Sequence, residues 1–159
     1  MTDRGKLVVD CNVTIVANQK SEHASIKCTL ACINFLERCR SLNLALDSAG
    51  LIMREYSSHL NYSGSPGVGD MFFKYLHDNQ FCQERISLVD LTPIEDESRT
   101  FEELPKNELD PSDRKYLATA LISRSEIVNA TDSDWAEQKA LTDDLGVNVI
   151  QLCEECKPA

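Results

Sequence analysis

The sequence predicts an α/β fold, a three-layer α/β/α sandwich with a central parallel sheet of four to five strands. Short apolar segments rich in Val, Ile and Leu alternate along the chain with segments of helical periodicity. Strands that alternate with helices pair in parallel, because the crossover helix returns the chain to the same end of the sheet. No internal repeat or linker interrupts this alternation, so we expect a single domain over residues 1–159.

Five segments are expected to form the strands, and turn or capping residues bound most of them. They cover residues 6–9, 42–46, 86–91, 126–130 and 147–152. Residues 12–16 either extend the first strand or begin the following helix. Strands of this length are ordinary for the sheet of one small domain.

Apolar stripes and capping residues place the helices between these strands. Ser21 is expected to cap the first long helix, which ends near Arg40 and carries the stripe Ile26, Leu30, Ile33 and Leu36. Asp47 should cap the next helix, and Asp110 followed by Pro111 should begin a later one. Further helices are expected over residues 71–79 and 135–145. The region 64–107 is expected to be an inserted loop and helix region, and 153–159 a C-terminal tail.

Composition and charge exclude several classes of protein. The 159 residues are 42% hydrophobic and 26% charged, which is ordinary for a globular domain. No apolar run approaches the roughly 20 residues of a membrane helix, and residues 7–9 are too short an apolar run for a signal peptide. We therefore expect a cytoplasmic protein that does not act on a membrane. The net charge of -10 argues against a surface coated for nucleic acid, although bound cations would neutralise several carboxylates.

The seven cysteines are an odd number, which does not suit a disulfide framework. Cys28, Cys32 and Cys39 lie at helical spacing on one face, where we interpret them as small buried hydrophobes. Cys153 and Cys156 form a C-x-x-C pair, which supplies only two of the four ligands of a zinc site. We interpret this pair as part of the tail, with a functional role as the alternative.

Carboxylates recur where apolar segments end and helices begin. Asp10 directly follows the first strand, Glu55 lies close to an apolar stripe, and Asp113 lies at the start of a helix. Asp132 and Asp134 follow the strand at 126–130. A parallel sheet gathers the carboxyl ends of its strands at one edge, and clustered carboxylates repel one another unless a divalent cation is bound. The sequence therefore predicts a metal site, beside which Asn12 could hydrogen-bond a carboxylate or a water on the metal.

Each of these acids also has a purely structural interpretation. The alternatives are a turn or helix cap at Asp10, an i,i+4 pair between Glu55 and His59, an acidic residue of a capping box at Asp113, and a helix cap at Asp132 or Asp134. A cap and a metal ligand are compatible roles, because a helix that begins at the carboxyl edge of a sheet can direct an acid into the site.

The order and spacing of these motifs resemble the PIN-domain (PilT N-terminus-like) family over nearly the whole chain. The matching segments are Val8-Val9-Asp10-Cys11-Asn12-Val13, residues 52–56, Asp113 before residues 117–120, and Ile127-Val128 leading to residues 131–135. PIN domains are small α/β/α metal-dependent nucleases, and many are ribonuclease toxins of prokaryotic toxin–antitoxin pairs. The resemblance thus implies a metal-dependent endoribonuclease of the toxin or defence type.

The resemblance also implies which residues carry the chemistry. It assigns Asp10, Glu55, Asp113 and Asp132 to the acidic centre, and Asp134 as an additional acid, around Mg²⁺ or Mn²⁺ that activates a water to attack the phosphodiester. Asn12 matches a polar residue of the family near the first Asp. RNA is the implied substrate, with DNA an open alternative. An antitoxin or other protein partner and a homodimer are further expectations.

Two other functions remain open on the sequence. A PIN-fold binding module that has lost catalysis would act through a protein partner and would not depend on metal. A different α/β phosphate enzyme would use Asp10 as a nucleophile, but Asn12 stands where such enzymes carry a second acid. The basic residues beside the acids, Arg54, Arg114 and Lys115, are expected to be solvated surface charges, with phosphate contact as the alternative, and the three histidines are expected at the surface.

Overall fold

The computed structural model describes residues 5–154 and contains one five-stranded sheet in the order β3-β2-β1-β4-β5. The strands are β1 (Lys6–Val9), β2 (Asn43–Asp47), β3 (Ile86–Val89), β4 (Ser125–Asn129) and β5 (Val149–Gln151). Every neighbouring pair is parallel. The prediction of an α/β/α sandwich around a parallel sheet of four to five strands is confirmed.

Within the same residues, seven α-helices accompany the strands. They are α1 (Cys11–Ala17), α2 (Ile26–Arg38), α3 (Leu51–His59), α4 (Val68–Asn79), α5 (Arg114–Ser123), α6 (Asp134–Glu137) and α7 (Lys139–Leu145). Helix α5 packs along β4, β1, β2 and β3, while α1, α2 and α4 pack on one another in the opposite layer. In the part of the chain that the structure describes, no helix combines the length and the apolar character that a membrane crossing needs.

The centre of the sheet is apolar on both faces because helices cover both. Val8, Ile127 and Val128 have no exposed surface, and they belong to the two strands that lie at the middle of the sheet. The register pairs Val8 with Ile127 and Val9 with Val128. This pairing aligns the carboxyl ends of β1 and β4, where the chain becomes polar.

Helix α2 differs from its predicted extent and orientation. It begins at Ile26 with Ser25 as its N-cap, instead of being capped at Ser21. Ile26 and Leu30 of the predicted stripe are 82% and 54% exposed. The buried face instead consists of Cys28, Cys32, Phe35 and Leu36. Both sets of positions have helical spacing, so the periodicity does not decide which face is buried. Packing against α1 and α4 decides it.

Other elements agree with the predictions in position and differ in length. Residues 12–16, left open between strand and helix, belong to α1. The single helix expected at 135–145 is two short helices that meet at Gln138. The N-cap of α3 is Gly50, so the prediction of Asp47 at this position is wrong. The Asp47 carboxylate nevertheless accepts from the backbone N–H groups of Leu51 and Ile52 at 2.8 Å and 2.9 Å.

The region 64–107 is part of the fold's core and not a peripheral insertion. It supplies β3 and α4, and its later part carries Phe101 and Leu104, which are buried. Arg114 is only 4% exposed and donates to Thr100 Oγ1 at 3.0 Å and to Asn107 Oδ1 at 3.1 Å. The expectation that Arg114 is a solvated surface charge is therefore wrong, because its guanidinium holds this loop against α5.

A disulfide joins Cys28 of α2 to Cys153, which follows β5. The two residues are 125 positions apart in sequence, and their Cα atoms are 4.9 Å apart. Cys28, Cys32 and Cys39 are buried as expected. The interpretation of Cys28 as only a small hydrophobe, and of Cys153 as a chance thiol in the tail, is wrong. Cys156 and the rest of the expected tail beyond residue 154 lie outside the described residues.

Candidate metal centre

Three carboxylates from distant parts of the sequence meet at one edge of the sheet. Asp10, Asp113 and Asp132 each offer an oxygen that lies within 4.8 Å of the other two. Asp10 follows β1, Asp113 precedes α5, and Asp132 follows β4. The strand order reverses between β1 and β4, and ligands of open α/β sheets bind in the crevice beyond the strand ends at such a reversal.

Asp10 is held by one hydrogen bond on each oxygen. Its Oδ1 accepts from the backbone N–H of Asn12 at 3.1 Å, so that Asp10 also serves as the N-cap of α1. Its Oδ2 accepts from the indole Nε1 of Trp135 at 2.9 Å. Since a carboxylate oxygen can accept more than one hydrogen bond, both oxygens keep lone pairs for a further partner. The role of Asp10 as a helix cap is therefore compatible with a role as a metal ligand.

The electrostatics of the group favour a cation. Burial raises the pKa of Asp10 to about 7, against the two hydrogen bonds from Trp135 and Asn12, which lower it. Burial, and then the negative charges of Asp10 and Asp132, raise the pKa of Asp113 well above its usual range. None of the ion pairs formed within residues 5–154 involves these three carboxylates. A bound divalent cation would offset both the cost of burying these charges and the repulsion between them, which together raise the two pKa values.

The loop that carries Asp132 is fixed by a pair of asparagine side chains. Asn12 accepts from the backbone N–H of Ala130 at 2.9 Å and donates to Asn129 Oδ1 at 2.8 Å. Asn129, fully buried at the end of β4, donates in turn to the backbone carbonyl of Asp132 at 2.9 Å. The side chain of Asn12 therefore orients the β4–α6 loop. It does not hydrogen-bond a carboxylate, which is one of the two roles that the sequence had suggested for it.

Replacing Asn12 should loosen this loop. In Asn12→Ala, the N–H of Ala130 loses its acceptor and the Asn129 side-chain oxygen loses one of its two donors, the other being the N–H of Asp132. We expect this change to cost about 1–3 kcal/mol of unfolding free energy. Urea unfolding of the two proteins measures this difference. Asn148→Ala is a matched control, because it removes an exposed Asn–Glu126 hydrogen bond and should change stability by less than about 0.5 kcal/mol. Equal losses in both variants would contradict the role assigned to Asn12.

Asp134 lies next to the centre but outside the three-carboxylate group. It is the first residue of α6, and its backbone N–H donates to Asp132 Oδ1 at 2.9 Å. The N-cap of α6 is Ser133, so that Asp132 lies one residue before the cap while also facing Asp10 and Asp113. Burial raises the pKa of Asp134, with a further contribution from the charge of Asp132. The structure does not bring Asp134 to the other three acids.

Glu55 also lies beside the group, with partners that the sequence did not suggest. Its Oε2 forms an ion pair with Lys115 Nζ at 3.0 Å and accepts a hydrogen bond from the hydroxyl of Tyr116. The alternative pairing with His59 is wrong, because α5 packs against α3 and presents Lys115 to Glu55. The same Tyr116 oxygen accepts from the backbone N–H of Cys11 at 3.3 Å. Glu55 is therefore tied to the segment that follows Asp10.

Three residues that hold the centre escaped the sequence analysis: Trp135, Asn129 and Tyr116. Each had a usable signal. The only tryptophan follows the acidic loop directly, and a buried indole N–H requires an acceptor. Asn129 is a polar residue that directly follows the apolar pair Ile127-Val128, and a buried amide at such a position requires hydrogen-bond partners. Tyr116 follows Lys115 in the first turn of a buried helix.

An open groove of roughly 400 Å³ is lined in part by Glu55, and none of the three clustered carboxylates lines it. Leu51, Ser58, Phe101 and Pro111 form part of its wall. Arg54 and Lys115 also line it. The charge of Lys115 is paired with Glu55, which leaves Arg54 as the exposed basic side chain of this groove. The three histidines are exposed, as expected, and none belongs to this groove.

The donor set of the centre suits a hard divalent cation, because carboxylate oxygens are the ligands that Mg²⁺ and Mn²⁺ prefer. Asp10, Asp113 and Asp132 could all contact one such ion. Glu55 is close enough for its charge to raise the pKa of Asp10. Comparisons with models of known protein families, with curated proteins and with solved structures give no match.

Proposed function

We propose that this chain is a Mg²⁺- or Mn²⁺-dependent nuclease that hydrolyses phosphodiester bonds in RNA, in the manner of PIN-domain toxins. The observation that supports the proposal is the convergence of Asp10, Asp113 and Asp132 at the reversal of the strand order. These three acids have no ion-pair partner among the described residues and repel one another when ionised, so that a bound cation would stabilise their charged forms. Phosphodiester hydrolysis is a reaction that such a cation serves well.

Each residue of the centre has a separate task in this proposal. Asp10, Asp113 and Asp132 would hold the cation, with Asp10 kept in place by Trp135 and Asn12. The bound ion would supply Lewis acidity, lowering the pKa of a water and offsetting charge on the phosphate oxygens. Because Glu55 is fixed through Tyr116 and Lys115, it gives the groove a rigid wall next to the acids.

Positive charge in the groove would position the substrate. Lys115 and Arg54 lie where a phosphate backbone that enters the centre would pass. The chain as a whole has a net charge of -10, which repels RNA. RNA binding through these two residues should therefore be weak and sensitive to salt. DNA could enter the same groove, and a comparison of the two substrates belongs in the assay.

Cleavage of single-stranded RNA by the purified chain tests the proposal. We expect cleavage at low salt when Mn²⁺ or Mg²⁺ is present, and none after EDTA is added. Cleavage that persists in EDTA, or its absence at every metal concentration, would contradict the proposal. In the second case a non-catalytic PIN-like binding module becomes the better interpretation.

That second function is supported by exposed apolar side chains on α2, a helix that contributes nothing to the acidic centre. Ile26 and Leu30 are 82% and 54% exposed on this helix, and an acidic chain favours a basic partner. An antitoxin-like protein, or a second copy of the chain, would be the partner in the cytoplasm. Pull-down of this chain by a purified candidate partner, with and without metal, separates the two functions. Binding that does not depend on metal supports the binding module, since only catalysis requires the ion.

Arg54→Ala should weaken RNA binding without removing catalysis. Arg54 is exposed in the groove, so that its loss removes about one phosphate contact. The slope of log Kd against log salt concentration should fall by about 1. Arg38→Ala, which changes an arginine on α2 away from the groove, is the control and should leave the slope unchanged. The same slope in wild type and Arg54→Ala would show that RNA does not follow this groove.

A further inference from the structure

A path of hydrogen bonds leads from β5 to the acidic centre. The side-chain oxygen of Gln151 accepts from the amide Nδ2 of Asn129 at 2.6 Å. The same Nδ2 donates to the backbone carbonyl of Asp132 at 2.9 Å, and Asn129 Oδ1 accepts from the backbone N–H of Asp132 at 3.2 Å. Gln151 therefore contacts the amide that holds the backbone of Asp132 through both of its polar groups.

The Gln151 oxygen fixes the orientation of the Asn129 amide. Asn129 has no exposed surface, and its amide has two hydrogens, which serve the Asp132 carbonyl and the Gln151 oxygen. Without that oxygen, a buried N–H would have no acceptor, which is a costly state. The side chain could avoid this state only by turning, and turning would break its bonds to Asp132.

The strand that carries Gln151 has little support of its own. β5 is three residues long, and all three are partly exposed. It lies at the edge of the sheet, where β4 is its one neighbour among the strands that the structure describes. Short edge strands open more readily than central ones, because few buried contacts hold them.

The Cys28–Cys153 disulfide limits this opening. Cys153 is two residues beyond Gln151, and its bond to Cys28 ties it to α2 in the layer on one face of the sheet. Two residues of fully extended chain span about 7 Å at most. Gln151 therefore cannot move far from Asn129 while the disulfide is intact.

We propose that Gln151 is a positioning residue of the acidic centre and that the Cys28–Cys153 disulfide keeps it in place, so that reduction of the disulfide weakens the binding of a divalent cation. This inference rests on the metal centre of the proposed function and adds a redox control to it. A dithiol reductant would give two electrons and two protons to the disulfide, which becomes two thiols while the reductant becomes a disulfide. An oxidising compartment would favour the tethered strand, and a reducing one the free strand.

Calorimetric titration of the full chain with Mn²⁺ compares the two redox states without RNA. Both cysteines are at most 2% exposed, so complete reduction is first verified by counting thiols with mass spectrometry. Reduced wild type should bind Mn²⁺ about tenfold more weakly than the disulfide-bonded protein, since partners that orient metal ligands change affinity by this much or more. Equal affinities would overturn the redox control and leave the metal centre standing. No binding in either state would overturn both.

Two double variants form a matched pair, because each removes two buried cysteines. Cys28→Ala with Cys153→Ala removes the disulfide, and this protein should bind Mn²⁺ as reduced wild type does, with or without a reductant. Cys32→Ala with Cys39→Ala removes two free thiols and should keep the tenfold response to reduction. A full response in the variant without the disulfide would overturn the role of Cys28 and Cys153.

Gln151→Leu tests the positioning step. With the disulfide intact it should bind Mn²⁺ about tenfold more weakly than wild type, and reduction should weaken it little further, because the path is already interrupted. Gln151→Glu keeps an accepting oxygen and should bind at least as tightly as wild type. Asn148→Ala, which removes a hydrogen bond to Glu126 beside β5, should match wild type in both states. A further tenfold loss on reduction of Gln151→Leu would overturn the path through Gln151.

Amide hydrogen exchange of metal-free wild type tests the same path without any variant and without any ion. The backbone N–H of Asp132, which donates to Asn129, should exchange about tenfold or more faster after reduction. The N–H of Leu44 donates to the carbonyl of Arg85 at the other side of the sheet, and its rate should stay unchanged. Unchanged exchange at Asp132 would overturn the inference, whatever the fate of the nuclease proposal.

Discussion

Asp10→Asn and Asp132→Asn should each lower Mn²⁺-dependent cleavage of RNA by about 100-fold or more. Each change removes one of the three converging carboxylates, so that the cation loses a charged ligand and its stabilisation of the transition state. The fold should persist in both variants. In Asp132→Asn, the oxygen of the new side-chain amide could still accept the hydrogen bond that Asp132 receives from the N–H of Asp134.

Initial rates at saturating Mn²⁺, with circular dichroism of each variant, measure this effect. Asp144→Asn is the matched control, because it removes the same charge from an exposed position of α7, and it should keep the wild-type rate. Asp134→Asn should have a milder effect than Asp132→Asn, since Asp134 lies outside the three-carboxylate group. Wild-type rates in Asp10→Asn and Asp132→Asn together would indicate a contaminating nuclease.

The metal-free protein should become less stable as the pH rises from about 4 to about 7. Asp10 has a pKa of about 7 in the folded chain but about 3.9 when unfolded, so only the folded state holds this proton in that range. Stability from this group is complete below pH about 4 and is lost as the pH passes through about 7. The difference corresponds to roughly 4 kcal/mol for Asp10 alone, and the raised pKa of Asp113 acts in the same direction.

Urea unfolding between about pH 5 and about pH 8 measures this loss, with a chelator present and the disulfide intact. Mn²⁺ should restore stability at the upper end, because the ion replaces the proton in relieving repulsion and binds only the folded state. The profile of Asp10→Asn should be flatter and its response to Mn²⁺ smaller. An equally steep profile in this variant would show that other groups cause the pH dependence.

Sequence reasoning succeeded where the signals are local. The strands around Val8 and Ile127 each contain consecutive buried apolar residues, and the Asp110-Pro111 start of a helix acts within one turn. The exposed Ile26 and Leu30 show the limit of periodicity. Two faces of α2 were apolar enough to be buried, and only the neighbouring helices decide between them.

The centre was partly predictable for a related reason. The acids Asp10, Asp113 and Asp132 follow from the rule that parallel strands gather their carboxyl ends. The hydrogen bond between Trp135 and Asp10 joins residues 125 positions apart, and no spacing along the chain encodes it. The same holds for the disulfide between Cys28 and Cys153, because cysteine positions alone do not reveal connectivity.

The central position of β1 also governs when the centre can exist during synthesis. β1 leaves the ribosome well before β4, yet it needs β4 as a neighbour on one side, and Asp132 follows β4. A nascent chain that stops before β4 therefore has Asp10 without two of its partners, Asp132 and the indole of Trp135. If the chain is a ribonuclease, it stays harmless to the ribosome that makes it until β4 and the loop that carries Asp132 have been made. A chain divided between β3 and α5 would likewise yield two inert pieces, neither of which carries all three acids.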